Sequence, residues 1–201
     1  EEQQKIIDAA GNIVVIARPG SGKTYTIVKK IEKILEKSYE YQGIIAISYT
    51  KKASRELEQR CKMTGISMKS SFFGTIDNFY ISEIIMPFVK YFFNKRIELQ
   101  VEAELEKYPQ YTILRNIKNG INSQIEIALI NALAEGHIFL EISGETALFV
   151  LSQIPEAREY IQAKYTHIFI DEYQDCGNIQ HEIFMKMISM GLLGIAVGDI
   201  D

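Results

Sequence analysis

Short runs of branched apolar residues punctuate the chain without polar alternation. They are Ile13-Val14-Val15-Ile16, Ile44-Ile45-Ala46-Ile47, His167-Ile168-Phe169-Ile170 and Gly194-Ile195-Ala196-Val197. Such runs predict strands buried on both faces. Phe72-Phe73 adds a candidate short strand. Between the runs the apolar period becomes helical. From Lys23 to about Glu36 the apolar residues are Ile27, Val28, Ile31, Ile34 and Leu35, one face of an amphipathic helix. Lys52–Arg60 reads as a polar helix, and Ile179, Ile183, Phe184 and Met187 mark another before the last strand. Apolar strands separated by helices imply an α/β fold, a parallel sheet covered by helices on both faces.

The stretch from about 81 to 159 follows another pattern. Ile81, Ile84, Ile85, Phe88 and Phe92 recur at helical intervals. Ser123 and Glu126 have capping-box spacing and predict a helix that stops near Gly136. A further helix is expected from Glu145 to Ser152, ending before Pro155. Ile97–Glu104 alternates apolar and polar, which fits a strand without deciding it. The expected organisation is therefore an α/β domain of residues 1–80 and 160–201, interrupted by a mostly helical insert over 81–159. There is no internal repeat, low-complexity tract or Pro/Gly/Ser linker.

Composition adds bounds. A length of 201 residues suits one domain, or one domain with an insert. At 47% hydrophobic and 24% charged residues the chain reads as globular. No apolar run approaches the ~18 residues of a membrane span. The first residues, Glu1-Glu2-Gln3-Gln4-Lys5, lack the basic-then-apolar pattern of a signal peptide. Cys61 and Cys176 stand alone, without metal-ligand spacing, as suits a reducing cytoplasm. The net charge of −4 excludes a wholly basic nucleic-acid coat. Binding to nucleic acid along a single groove needs only a local field, and Lys51–Lys69 carries a net +4. Taken alone, that window is a solvated helix face of mixed charge.

Ala17-Arg18-Pro19-Gly20-Ser21-Gly22-Lys23-Thr24 lies between the first strand and the first long helix. It has the Walker A pattern, with Ala17 at the usual first glycine. Glycines let the backbone curl so that successive N–H groups face phosphate oxygens. The helix start adds its positive end. Lys23 suits the β- and γ-phosphates, and the Thr24 hydroxyl suits Mg²⁺. Ala17 sits where the strand ends and need only be small.

Ile168-Phe169-Ile170 runs directly into Asp171 and Glu172, two acids at the end of an apolar strand. Lys23 and Asp171 lie 148 residues apart in sequence, a separation that neighbouring strands can close. Asp171 is the expected Mg²⁺ ligand, directly or through water. Glu172 is the expected base that aims the water attacking the γ-phosphate.

Asp171-Glu172-Tyr173-Gln174-Asp175 closely resembles the Asp-Glu-(Phe/Tyr)-Gln-Asp signature of the UvrD/Rep/PcrA family of superfamily 1 DNA helicases. Other motifs of that family fall in order along nearly the whole chain. Glu2–Ile7 resembles the Q motif, which implies that Gln3 reads the adenine edge. Tyr25 stands where the family usually has an adenine-stacking arginine. Ser48-Tyr49-Thr50-Lys51-Lys52-Ala53 resembles motif Ia, which implies Tyr49 as a base-stacking platform, with Thr50 and Lys51 beside it. Gly74-Thr75-Ile76-Asp77-Asn78-Phe79 resembles motif Ib, with Thr75 as a strand contact and Asp77 where histidine is common. Ala196-Val197-Gly198-Asp199 resembles the opening of motif III. Gln174, Asp175 and Asp199 are implied to couple the ATP and DNA sites. Cys176-Gly177 replaces the common Thr-Asn, and the insert is short for the accessory subdomain that the family carries there.

The resemblance implies a RecA-like P-loop NTPase domain, with ATP and Mg²⁺ as cofactors. It implies single-stranded DNA and single/double-strand junctions as partners, and no membrane. It also implies a second RecA-like domain of the same polypeptide, which these residues do not include. That second domain supplies an arginine against the γ-phosphate, worth ~10³ or more in rate. The 201 residues alone are thus expected to bind Mg-ATP weakly, hydrolyse it slowly and unwind nothing. The intact protein is expected to move along single strands 3′ to 5′ and unwind duplex. Alternative settings are the helicase part of an AddA/RecB-like helicase–nuclease and an ATP-dependent DNA-sensing switch that unwinds nothing. A small-molecule kinase fits the phosphate loop but none of the later motifs.

Overall fold

The structure is a computed structural model that describes residues 2–18, 20–93 and 96–199. The strands are β1 (Ile13–Ala17), β2 (Gly43–Ile47), β3 (Phe72–Gly74), β4 (Gln100–Glu102), β5 (His137–Phe139), β6 (Tyr165–Ile170) and β7 (Leu193–Asp199). The α-helices are α1 (Glu2–Asp8), α2 (Lys23–Lys37), α3 (Lys51–Met63), α4 (Ile76–Phe79), α5 (Met86–Phe88), α6 (Ser123–Ala134), α7 (Ser143–Gln153), α8 (Pro155–Lys164) and α9 (Asn178–Ser189). Two compact units result: Glu1–Ile76 with Glu159–Asp201, and Asp77–Arg158. No helix among the described residues is long and apolar enough to cross a membrane.

The first unit is an all-parallel sheet of order β1-β7-β6-β2-β3. This is the α/β architecture expected from the unbroken apolar runs. On one face α2 and α3 bury Ile27, Val28, Ile31, Leu35, Leu57 and Cys61 against Val15, Ile44, Ala46, Phe169, Ile195 and Val197. Ile31 and Leu35 are fully enclosed. Truncating either to alanine costs about 2–5 kcal/mol. On the other face Ile45, Ile47, Ile168, Ile170 and Ala196 are also buried. There α9 packs so closely on β7 that a Cβ at Gly194 would lie 2.7 Å from Phe184. At the edge strand β1, Val14 and Ile16 stay 71% and 62% exposed. The Asn12 carboxamide accepts from Gly194 N–H at 2.8 Å and ties the start of β1 to β7.

Helix α1 is held by a buried lysine. Lys30, on α2, donates to the carbonyls of Ile6 and Ala9 at 2.9 Å each, closing the C-terminal end of α1. Burial lowers its pKa. Lys33 adds an ion pair to Asp8.

The second unit is mostly helical. Residues 76–92 are helical throughout, but Tyr80–Ile85 is π-helical. Pro87 supplies the reason. It has no N–H for the Glu83 carbonyl, and its ring crowds that carbonyl. The ladder slips instead, so Met86 N–H donates to Ile81 O, five residues back. Pro109–Asn119 is a 3₁₀ run that burial of Tyr111, Leu114 and Ile117 holds in place. The alternating Ile97–Glu104 segment contributes only the short β4, paired in parallel with β5.

The capping-box reading is corrected at α6. The cap is Asn122, whose side chain accepts from the N–H groups of Gln124 and Ile125 at 3.0 Å each. Ser123 is the first helical residue instead. Asn122 has the extended backbone that a cap requires.

His167, on β6, faces a cleft edged by Lys30, Lys33, Lys37 and Asp8. Burial, with Lys30 beside it, pushes its pKa down to about 4. A histidine depressed below its unfolded value of about 6.5 stabilises the fold above pH 6.5. That contribution is lost as pH falls from about 6.5 towards 4. His167→Gln should flatten the acid side of a Tm-against-pH curve in this window. An acid slope identical to wild type would contradict the assignment.

Candidate nucleotide and strand-binding site

The C-terminal ends of β1, β7, β6 and β2 gather the residues singled out by the motifs. Ala17 pairs with Asp199, Ile170 with Ala196 and Ile47 with Ile170. Lys23, in the first turn of α2, makes an ion pair with Asp199. Asp171 is held above its usual pKa by burial, and the charge of Lys23 opposes that rise. The lysine and the acids, far apart in sequence, therefore share one edge.

The loop between β1 and α2 is shaped for an anion. Gly20 and Gly22 take the left-handed conformation, at φ 78° and 85°. Gly22 caps α2 without a side-chain hydrogen bond, so no cap occupies the first-turn N–H groups. Ser21 N–H donates to Arg18 O at 3.1 Å, closing the turn. Pro19 lies outside the described residues. Thr24 stands half-buried beside Lys23, and Tyr25 is 55% exposed on α2. Gln3 is braced against the loop: its Nε2 donates to Ser21 O at 3.1 Å. A Cβ on Gly22 would come within 2.8 Å of that nitrogen, so glycine also serves the close approach.

Asp171 continues the β6 ladder by donating its N–H to Ile47 O at 3.0 Å. Burial raises its pKa, and the Glu172 charge adds to this. The Glu172 N–H, which donates to Asp171 Oδ1 at 3.1 Å, and Lys23 oppose the rise. Glu172 is left-handed at φ 56°. That conformation costs a non-glycine residue about 1–2 kcal/mol and clusters at functional sites. Gln174 then links the acids: its Nε2 donates to Glu172 Oε2, and its Oε1 accepts from Asp199 N–H at 3.2 Å. The absence of a Cβ at Gly198 lets this carboxamide approach, since one there would lie 2.8 Å from Oε1.

The oxygens here are hard donors of the kind that suits magnesium. They are the Thr24 hydroxyl and the Asp171 carboxylate; next to Asp171 in the strand register, the buried Ser48 Oγ has no hydrogen-bond partner among the described residues. No group of three or more His, Cys, Asp or Glu residues could hold a metal among the described residues. The donor set thus fits an ion held by one or two protein oxygens, with phosphates and waters completing its shell.

Beside this edge, Tyr49 is 47% exposed and its hydroxyl donates to Asp175 O, tying it to the turn after Glu172. Thr50 caps α3, its side chain accepting from Ala53 N–H at 3.1 Å. The +4 window divides along the helix. Arg60 pairs with Glu56, Lys62 with Glu58 and Lys69 with Glu40. Lys51, Lys52 and Arg55 are exposed at the N-terminal end and make no ion pair among the described residues. Cations at the positive end of a helix oppose its dipole, an arrangement that an incoming anion relieves. Thr75 follows β3, half-buried. Asp77 belongs to the second unit, where its carboxylate accepts from the Ser143 hydroxyl at 2.9 Å.

The resemblance singled out Gln174 and Asp199 as coupling residues, but not the Lys23–Asp199 pair, the bond from Gln174 to Asp199 N–H or the orphan hydroxyl of Ser48. Each depends on strand register, which no local pattern encodes.

Comparison with known proteins agrees with these motifs. Residues 1–137 and 126–201 match the family described as UvrD/REP helicase N-terminal domain. Gabija protein GajB of Bacillus cereus (strain VD045) is 35% identical over 92% of this chain and 36% of its own. ATP-dependent DNA helicase PcrA of Staphylococcus aureus (strain Mu50 / ATCC 700699) is 23% identical over 100% of this chain and 33% of its own. PcrA of Bacillus subtilis (strain 168) is 21% identical over 100% and 32%. The chain spans about a third of the length of these curated relatives.

The left-handed Glu172 gives a stability test. Glu172→Gly and Glu172→Ala both delete the carboxylate, but only glycine accepts φ 56° without strain. Urea denaturation should find the glycine variant more stable by about 1 kcal/mol. Alanine equal or better would show that the backbone is not strained there.

Proposed function

The chain belongs to the UvrD/REP helicase N-terminal domain family, and from that premise we propose that it is the ATP-binding motor half of a DNA translocase. The observation that carries this reading is the meeting of Lys23, Asp171, Glu172 and Asp199 at one sheet edge, beside an uncapped helix start. ATP is the cofactor. Its phosphates lie in the 17–24 loop, against the first-turn N–H groups of α2, with Lys23 moving from Asp199 to the β- and γ-phosphates. Thr24 and Asp171 would hold magnesium, which when bound would supply positive charge to the phosphates. Glu172 aims a water at the γ-phosphorus and takes its proton, giving ADP and phosphate. Gln174 contacts both Glu172 and Asp199, so it senses the state of the edge. Gln3 reaches the adenine side, and Tyr25 offers its exposed ring to the base.

Single-stranded DNA runs past Tyr49, Thr50, Lys51 and Thr75. Tyr49 stacks on a base, a contact worth about 1–3 kcal/mol that tolerates any sequence. Lys51, Lys52 and Arg55, which make no ion pair among the described residues, supply the local field for phosphates. Asp77 is left out of this path, because its carboxylate repels phosphate and already accepts from Ser143. The tether from Tyr49 to Asp175 joins strand contact to nucleotide state. A second RecA-like domain completes the site with an arginine, so these residues alone turn over slowly. In the intact protein the cycle drives 3′-to-5′ movement, strand separation at junctions and a cytoplasmic role in DNA processing.

The reading is tested by two variants of the intact protein. Lys23→Ala should reduce DNA-stimulated ATP hydrolysis at least a hundredfold while leaving the Tm within a few degrees. Tyr49→Ala should weaken single-strand binding by about 1–3 kcal/mol without changing ATP affinity. Unchanged hydrolysis in the first would remove the nucleotide site, and unchanged strand affinity in the second would remove Tyr49 from the path. DNA-stimulated hydrolysis without strand separation would favour an ATP-dependent DNA-sensing switch.

A further inference from the structure

Ser48 is 1% exposed, and its Oγ has no hydrogen-bond partner among the described residues. Its backbone is firmly held. Ser48 N–H donates to Gly74 O at 3.1 Å, and the preceding carbonyl, of Ile47, accepts from Asp171 N–H at 3.0 Å. Strand register fixes the face on which the side chain lies. Ala46 and Phe169 pair across β2 and β6, and both belong to the core packed under α2. Two residues further, Ser48 and Asp171 take adjacent positions on that same face, at the end where Lys23 opens α2. The charge of Lys23 acts on Asp171 there.

A buried hydroxyl without a partner destabilises a fold, and alanine, nearly its size, would remove that penalty. The hydroxyl therefore answers to something other than packing. We propose that Ser48 is a positioning residue for the magnesium ion: its hydroxyl hydrogen-bonds a water ligand of the ion beside Asp171. The inference rests on the nucleotide-site reading above. Outer-shell contacts of this kind orient the inner ligands and are worth about 10- to 100-fold in metal affinity. Threonine can make the same contact; alanine cannot.

The test is equilibrium binding of a fluorescent N-methylanthraniloyl-ADP to the intact protein. It is done across a magnesium titration and in EDTA, together with melting of the nucleotide-free protein. Ser48→Ala should raise the magnesium needed for half-maximal binding by about tenfold or more. Its affinity in EDTA should stay within twofold of wild type, and its Tm should be equal or higher. Ser48→Thr should bind with the wild-type magnesium dependence. An unchanged magnesium dependence in Ser48→Ala overturns the proposal. So does an equal loss with and without magnesium accompanied by a lower Tm, which marks a packing role. Wild-type protein that binds no nucleotide under either condition removes the nucleotide site itself, and the role of Ser48 with it.

Discussion

The register of four parallel strands decides where every polar side chain of the functional edge lies. Ala17 is opposite Asp199, Ile170 opposite Ala196, and Ile47 opposite Ile170. Three of the four lead into a residue that a buried sheet would not otherwise tolerate: β7 ends in Asp199, β6 runs into Asp171 and β2 into Ser48. These groups sit together because the apolar residues before them lock the ladder. A shift by one position would turn Asp171 to the opposite face, away from Lys23 and α2. Core packing and site chemistry are thus the same constraint seen at two depths of the sheet.

The polar groups of this edge are held by interactions with one another. Lys23 is neutralised by Asp199, and Gln174 spans Glu172 and Asp199. The carboxyl of Asp171 is pushed towards its neutral form by burial and by Glu172. Two acids and an unusual backbone at Glu172 are costly features held in place by their surroundings. Under the proposed function, ATP and magnesium compete for these same groups. The phosphates take the lysine and the ion takes the carboxylate, so Gln174 meets a changed pair of partners.

Much of this was legible in the residues alone. The strand cores follow from β-branched apolar runs, and α2 follows from the helical spacing of Ile27, Val28, Ile31 and Leu35. The phosphate loop and the Asp171–Asp175 signature are local in sequence, so their chemistry could be read before their positions were known. What stayed hidden depends on non-local or subtle local geometry. The 3₁₀ run Pro109–Asn119 is held by burial of Tyr111 and Leu114 rather than by propensity. The slipped ladder of Tyr80–Ile85 follows from Pro87, within a periodicity that looks like ordinary helix. The α6 cap moved by one residue because Asn122 competes well with Ser123 for that role. Ser48 carried no local signal, since its isolation beside Asp171 is a property of strand pairing.

Under the proposed function, the Lys23–Asp199 edge receives the triphosphate. A crystal structure of the protein with magnesium and a non-hydrolysable ATP analogue tests it most directly. Lys23 Nζ should then be parted from Asp199 and lie against the β- and γ-phosphates, with Thr24 and Asp171 as the residues that hold the ion. An analogue bound elsewhere, with the Lys23–Asp199 pair intact, would contradict it.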